Sequence, residues 1–275
     1  MESEAIDLTN LAPLGGAGPI RQEPPYATNE NAKESEEDRR NRHAVIKSQV
    51  LGEYSSYKKK LEDPRWQTVQ YSGGDGITCF ELPVYYLDPE TKQSPVHTSK
   101  ASGVVMGKTA DEIARAQLDT NHSTRIRWDT DLSDVGQLEV IESNPELGMK
   151  LTVDWAEHTP AAVTMAAKRE FVYAQWSHRK RSDKNRDDGH WVLISRHVDH
   201  PDRPVKSSPV RALSVSVMVI TPLTPSKDEL ISLPRTNVTI MAWIQMGGWI
   251  PDGVVKLYKT KLADRIKFLR ETHFV

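Results

Sequence analysis

Cysteine is nearly absent from the chain, since Cys79 is the only one among 275 residues. A single cysteine excludes an internal disulfide, a zinc site built from cysteines and a Cys-x-x-Cys redox pair. Apolar runs of about 18 residues, the length that a membrane-spanning helix needs, are also missing. The N-terminus is acidic, unlike a targeting peptide. We therefore expect a soluble cytoplasmic protein that is stabilised by side-chain packing.

Catalytic fingerprints are missing as well. The sequence has no Gly-x-Ser-x-Gly elbow, phosphate-binding loop, dinucleotide fingerprint or His-Glu-x-x-His string. His197 and His200 are three apart in a strand-like segment and would point to opposite faces, which argues against a metal pair. We predict a protein that is not an enzyme and that needs no cofactor or metal.

Charge is distributed unevenly along the chain. Residues 1–40 contain nine acidic and four basic residues, although the whole chain has a net charge of only −2. The remainder is weakly positive, which is too little for a dedicated nucleic-acid-binding domain but permits attraction to an anionic membrane surface. Residues 1–34 also contain Gly-Gly, Gly-Pro and Pro-Pro pairs and no apolar period. They predict a disordered acidic tail before one folded domain over residues 35–275.

Hydrophobic spacing predicts an α+β domain in the order helix, three strands, two short helices, six strands and helix. The first helix covers about residues 35–61, and its apolar stripe contains Ile46, Val50, Tyr54 and Leu61. Thr109 and Glu112 form a capping box that opens the second helix, and the third covers about residues 124–129. Strands are predicted at residues 66–71, 77–87, 102–107, 137–142, 149–157, 169–179, 190–198, 211–222 and 236–246.

The predicted sheet is wide. An antiparallel sheet of about nine strands does not stay flat, so its twist predicts a curved shell. A long amphipathic helix follows Pro251, with Leu262, Ile266 and Leu269 on one stripe, and would fill the hollow of the shell. A helix gripped in this way leaves room for an internal pocket.

The order of elements and several strings resemble the START family, the steroidogenic-acute-regulatory-protein-related lipid-transfer domains with a helix-grip fold. The resemblance covers about residues 40–275. It rests on strings whose order and spacing together are fairly specific: Leu118-Asp119-Thr120, Arg125-Ile126-Arg127-Trp128-Asp129, Leu138-Glu139-Val140-Ile141-Glu142, Lys168-Arg169-Glu170-Phe171-Val172-Tyr173, Val192-Leu193-Ile194-Ser195-Arg196, His200-Pro201, Val210-Arg211-Ala212 and Gly247-Gly248-Trp249-Ile250-Pro251. The Arg-x-x-Trp-Asp string and Trp155 are most similar to the phosphatidylcholine-transfer members.

Arg125 and Asp129 stand four residues apart, so they share one face of a helix. The residues alone leave two interpretations open. One is a surface ion pair, which contributes about 0.3–0.5 kcal/mol. The other is a pair in an apolar cavity that offers spare donors to a phosphate. The resemblance implies the second, with Arg125 holding the lipid phosphate and Asp129 orienting it.

Aromatic residues are candidates for the rest of a headgroup site. Alternation along residues 150–155 predicts that Trp155 faces inward, either as an ordinary core residue or as a wall for a choline ammonium, a contact of about 2 kcal/mol. The resemblance implies an aromatic cage in which Phe171 replaces one tyrosine and Val215 stands where another is expected. A different headgroup or another apolar ligand therefore stays open.

Two segments are candidates for membrane contact. The small-residue loop over residues 159–167 resembles the family's mobile loop, and Val163 and Met165 would dip into a bilayer. The last helix is basic and amphipathic, so Lys259 and Arg265 are candidates for contact with anionic lipid. An ordinary surface loop and a solvated polar helix face are the alternatives.

The sequence thus predicts a non-enzymatic protein that holds one phospholipid, with phosphatidylcholine favoured, and moves it between membranes that it contacts transiently. The alternative is a lipid-gated sensor or scaffold that regulates a protein partner through the acidic tail. An enzyme of a related grip fold is a third possibility, and its candidate acid–base groups are Glu157 and His158.

Overall fold

The computed structural model describes residues 34–73, 76–82, 96–127, 129, 131–159, 167–180, 189–206, 208–224, 233–247 and 260–272. Its α-helices are α1 (Glu36–Leu61), α2 (Ala110–Leu118), α3 (His122–Arg125) and α4 (Lys261–Glu271). Its strands are β1 (Gln67–Val69), β2 (Ile77–Glu81), β3 (Val96–Met106), β4 (Leu132–Asn144), β5 (Met149–His158), β6 (Arg169–Lys180), β7 (His190–His197), β8 (Val210–Arg211), β9 (Leu213–Pro222) and β10 (Arg235–Gln245). The predicted α+β element order is confirmed. The predicted tail over residues 1–34 lies, except for Glu34, outside the described residues.

All the described strands belong to one sheet, in the order β1-β2-β3-β10-β9-β7-β6-β5-β4. Neighbours along this path are antiparallel, whereas the short β8 pairs in parallel with β6. The predicted strand over residues 211–222 is therefore two strands. They separate at the buried Ala212, whose N–H donates to the carbonyl of Glu170 at 2.8 Å and so keeps β8 beside β6.

Helix α1 covers one face of the sheet, which we call the outer face. Its start is fixed by Ser35, whose hydroxyl oxygen accepts from the N–H of Asp38 at 3.1 Å. Three acidic residues in the first turn and three lysines in the last complement the helix dipole. Of the predicted stripe, Ile46 and Val50 are buried against side chains of β5, β6 and β7, and Tyr54 and Leu61 pack there partly buried. Tyr57, which is not part of that stripe, is buried as well.

Helices α2 and α4 pack on the opposite, inner face. The predicted capping box is present, since Thr109 accepts from the Glu112 N–H at 3.2 Å and Glu112 accepts from the Thr109 N–H at 2.7 Å. Leu262, Ile266 and Leu269 of α4 are buried in the inner core, as their stripe predicts. The buried Lys108 ammonium donates to the last carbonyls of α4 and so holds its C-terminus against the sheet. The sheet therefore separates two apolar layers.

Candidate functional site

A cavity of about 200 Å³ lies between the inner face and α4. Polar side chains are numerous among its lining residues, although most of the surface that faces the cavity is apolar. The lining side chains come from α2–α4, from the segments after α3 and β10, and from six strands: Ser99, Gln117, Arg125, Asp129, Asp131, Ala156, His158, Phe171, Tyr173, Gln175, Ser195, Ser214, Ser216, Ala242, Ile244, Met246, Lys261, Leu262, Asp264, Arg265 and Phe268. Charged groups gather at the end near α3, and hydroxyl groups lie across the sheet.

Arg125 is buried in the wall of this cavity, with 6% of its surface exposed. Asn121 caps α3 by accepting from the Ser123 N–H at 2.9 Å, which starts the short helix at His122. The helix ends at Arg125, earlier than predicted, but the Asp129 N–H still donates to the Arg125 carbonyl at 2.9 Å. The Arg125 guanidinium donates to the Asp129 carboxylate at 3.3 Å and to the Tyr173 hydroxyl at 3.4 Å. This burial excludes the surface ion pair considered above.

Asp129 is shared between Arg125 and His158. His158 Nε2 lies 3.4 Å from the same carboxylate oxygen that Arg125 contacts. Burial alone would raise the pKa of Asp129, but the hydrogen bond from His158 and the positive charges around it outweigh burial and lower the pKa. Asp129 therefore stays ionised and holds the Arg125 guanidinium in place. His158 in turn packs edge-on against Phe171, with ring centroids 5.3 Å apart.

Tyr173 belongs to the site although sequence reasoning did not single it out. It is buried, it accepts the second hydrogen bond of Arg125, and it faces the cavity between Phe171 and Gln175 on β6. The available signal was the strand period, because Phe171, Tyr173 and Gln175 stand two residues apart and must share a face. Phe171 itself lines the cavity, and its contact with a lipid headgroup stays a prediction.

Arg265 occupies a position different from the one predicted. The basic, amphipathic pattern predicts Arg265 on the membrane-facing surface of the last helix, but the structure places it in the cavity wall, where its guanidinium donates to Gln117. Burial lowers the pKa of Arg265 to about 10, and the nearby charge of Arg125 acts in the same direction. The reason is helical spacing, since Arg265 lies between Leu262 and Leu269 on the stripe that faces the sheet. Two guanidinium groups therefore face one cavity.

Trp155 also lies away from its predicted position. The alternation along β5 is present, but the face that carries Trp155 is the outer one, where the indole packs with the α1 layer. The Arg203 guanidinium carbon lies 3.4 Å from the centroid of its ring system. The Cβ of a residue at Gly136 would lie 2.7 Å from the indole Nε1, so this glycine makes room for the ring. The cavity side of β5 is formed by Ala156 and His158.

The remaining candidates separate into three groups. Val163, Met165 and Lys259 lie outside the described residues. Val215 alternates with Ser214 and Ser216, which line the cavity, so its side chain faces away from it. Of the two candidate acid–base groups, His158 contacts Asp129, whereas the Glu157 carboxylate lies 3.7 Å from the Arg203 guanidinium.

The described residues contain no helix that is long and apolar enough to cross a membrane. In the same part of the chain, no group of three or more His, Cys, Asp and Glu side chains could hold a metal ion.

Comparison with known proteins places these features in a family. The family model described as "START domain" matches residues 58–273. Human StAR-related lipid transfer protein 7, mitochondrial, is 30% identical over 173 aligned residues, and the match covers 58% of this chain and 42% of that protein. The chain thus spans less than half the length of this relative.

Solved structures show the same fold at low sequence identity. Human StAR-related lipid transfer protein 5 has a TM-score of 0.60 and 20% identity, and the match covers 84% of this chain and 96% of that chain. Human STARD10 has a TM-score of 0.60 and 16% identity, with 80% of this chain and 78% of that chain covered.

Proposed function

This chain belongs to the START domain family, and from that membership we propose that it binds one phospholipid in the cavity and transfers it between membranes. The human relative of 30% identity is named as a lipid transfer protein, which supports a carrier function. The proposed function involves no covalent chemistry. The chain supplies a shielded site for a lipid that would otherwise expose its acyl chains to water, at about 0.8 kcal/mol for each methylene.

The observation that carries the proposal is the buried Arg125–Asp129 pair in the cavity wall. An arginine in such a place needs a counter-charge, which Asp129 supplies at 3.3 Å. A guanidinium has five donors in a planar fork, so a phosphate can bind to the same group. We propose that Arg125 contacts the lipid phosphate, while Asp129 and Tyr173 fix the plane of its guanidinium.

Arg265 extends this phosphate site onto the last helix. Arg125 and Arg265 lie close enough for each charge to disfavour the other, and a bound phosphate would relieve that repulsion. A phosphate between them would also join α3 to α4. The basic side chain of Lys261, which also lines the cavity, pairs with Asp131. We therefore assign the guanidinium groups of Arg125 and Arg265 to the ligand. The acidic Asp264 accepts from the Tyr71 hydroxyl at 2.9 Å.

The headgroup beyond the phosphate is less constrained. Phosphatidylcholine was favoured on the expected aromatic walls, of which Phe171 lines the cavity and Trp155 does not. We therefore retain phosphatidylcholine as one candidate, with Phe171 as the aromatic contact for its ammonium group, and extend the proposal to other glycerophospholipids. Transient contact with a membrane surface remains part of the proposal. No contact of the described residues favours the alternative sensor function.

The size of the cavity implies that uptake requires movement. Its volume of about 200 Å³ is smaller than the roughly 300–1,000 Å³ of pockets that enclose drug-sized ligands. A two-chain lipid is larger still. We propose that α4 moves away from the inner face when lipid enters, and that the same movement at a membrane allows exchange.

Incubation of the purified chain with mixed phospholipid vesicles, followed by re-isolation and mass spectrometry of the extracted lipid, tests the proposal. The wild type should return with one phospholipid per chain. The double variant R125Q/D129N removes both charges together, so neither member of the pair is left as a buried ion without the other. It should bind tenfold to a hundredfold less phospholipid, as expected for the loss of one charge-assisted hydrogen-bonded contact of about 1.5–3 kcal/mol.

The matched control is Arg127→Gln, because Arg127 is an exposed arginine only two residues away. It should extract as much lipid as the wild type. Recovery of no phospholipid with the wild type would refute carrier function. Equal recovery with R125Q/D129N and wild type would refute the phosphate site.

A further inference from the structure

A row of polar side chains crosses the inner face where the sheet borders the cavity. This polar row consists of Gln175 on β6, Ser195 on β7, Ser216 on β9 and Ser99 on β3. The four residues lie in register with one another, and Ala242 of β10 stands between Ser216 and Ser99. All four side chains line the cavity, so each is available to a ligand inside it.

The neighbouring row, two residues further along each strand, is different in character. On β7, β9, β10 and β3 it is formed by the buried apolar residues Leu193, Met218, Ile240 and Ala101, which pack in the inner core. On β6 its member is the buried Ser177. Strands β7, β9 and β3 thus change from apolar to polar where the cavity begins. A hydroxyl group that faces only hydrocarbon loses the hydrogen bond that it makes in water. Among the described residues, the hydrogen bond from Ser195 to Gln175 at 3.1 Å is the one that joins two members of the row.

The polar row reaches beyond the oxygen atoms of an ordinary diacyl lipid. Gln175 is two residues from Tyr173 on β6, about 7 Å away, so it lies beside the proposed phosphate site. Neighbouring strands are about 4.8 Å apart, which puts Ser216 roughly 10 Å and Ser99 roughly 19 Å from Gln175. Ester oxygens adjoin the glycerol next to the phosphate, so they can reach the near end of the row only. Partners for its far end must come from within an acyl chain.

We propose that the cavity selects phospholipids with an oxygenated acyl chain, one that carries a hydroxyl, epoxide or carbonyl group. That oxygen would hydrogen-bond to Ser195, Ser216 or Ser99 while the phosphate lies at Arg125. This inference rests on the proposed function, because the phosphate site fixes where the chain begins. It concerns which chain is retained and is independent of which headgroup is bound.

The test uses vesicles with equal amounts of an oleoyl phospholipid and its ricinoleoyl counterpart, which differ by one chain hydroxyl. The protein is incubated, re-isolated and extracted, and mass spectrometry gives the ratio of the two lipids. The wild type should be enriched about threefold to tenfold in the hydroxylated lipid, the range that one additional hydrogen bond provides. The variant S195A/S216A should lower the ratio toward one, and the further substitution Ser99→Ala should bring it to about one.

The matched control is Ser102→Ala. Ser102 lies on β3 one residue from the inward-facing Ala101, and its hydroxyl pairs with Thr239 at 2.9 Å on the outer face. This variant should keep the wild-type ratio. Equal extraction of the two lipids by the wild type, or a ratio that S195A/S216A leaves unchanged, would overturn the inference while leaving lipid binding intact. Failure to extract either lipid would overturn the proposed function itself and the inference with it.

Discussion

Replacement of Asp154 by asparagine is expected to stabilise the protein at neutral pH and to lose that effect in acid. Asp154 stands opposite Tyr173 in the register of β5 and β6, and only 3% of its surface is exposed. The Thr152 hydroxyl donates to Oδ2 at 2.9 Å, whereas the buried Oδ1 has no hydrogen-bond partner among the described residues. Burial raises the pKa of Asp154 to about 6.

The magnitude follows from the difference between the folded and unfolded states. The ordinary pKa is 3.8, and a difference of about two units corresponds to roughly 3 kcal/mol at 1.36 kcal/mol per unit. Because the folded-state pKa is the higher one, the stabilising contribution is fully present below the unfolded pKa and is lost as the pH rises through about 6. Asparagine cannot ionise. The free energy of unfolding of Asp154→Asn relative to wild type should therefore rise by about 2–3 kcal/mol from pH 4 to pH 7.5.

Urea unfolding of both proteins across this range measures the effect. The difference between variant and wild type cancels the contributions of other titrating groups. Thr152→Val provides a second test, because loss of the hydroxyl donor should raise the Asp154 pKa further and so increase the pH-dependent loss of stability. A stability difference between Asp154→Asn and wild type that stays constant with pH would refute the reasoning.

Three further predictions concern the framework around the cavity. Gly136→Ala should destabilise the protein by about 1–3 kcal/mol, because its Cβ would lie 2.7 Å from Trp155 on the outer face. Thermal melting measures this loss of stability. Lipid extraction should stay unchanged, since Trp155 lies outside the cavity. Lys108→Met should cost about 2–3 kcal/mol by removing the donor to the last carbonyls of α4, and hydrogen exchange should then increase in α4 rather than α1. Burial would raise the pKa of Glu139, but its hydrogen bonds from Arg42 and His43 outweigh burial and lower it to about 2. Glu139→Gln should therefore destabilise by about 2 kcal/mol at neutral pH, and the loss should disappear as the pH falls from 4.5 toward 2; acid urea titrations that show a constant loss would contradict this.

Much of the fold could be predicted because its signals are local. The stripe of Ile46 and Val50 marks the buried side of α1, and the Thr109–Glu112 box starts α2 where predicted. The split between β8 and β9 could not be predicted, because it depends on β6. Arg211 contacts the buried Glu170 at 2.8 Å, a partner 41 residues away in the chain.

Sequence spacing predicts that Arg125 and Asp129 lie together, because this contact is set within one turn of chain; their binding of a lipid phosphate stays a prediction. The sequence does not predict which side chains line the cavity where this depends on which face of the sheet encloses it. A period of two assigns Trp155 and Ala156 to opposite faces, but both faces are covered by helices here, so apolarity does not distinguish inner from outer. Arg265 was assigned by residue type, although its spacing from Leu262 and Leu269 places it on the buried stripe.

The position of Cys79 gives the molecule a built-in reporter. The thiol is 1% exposed, lies in the inner core with residues of α4, and its pKa is raised to about 11 by burial. While α4 stays docked, a thiol reagent therefore meets neither an accessible sulfur nor a thiolate. Displacement of α4 would expose the sulfur. The rate of alkylation at this single cysteine would therefore report how often α4 leaves the sheet, without an engineered label.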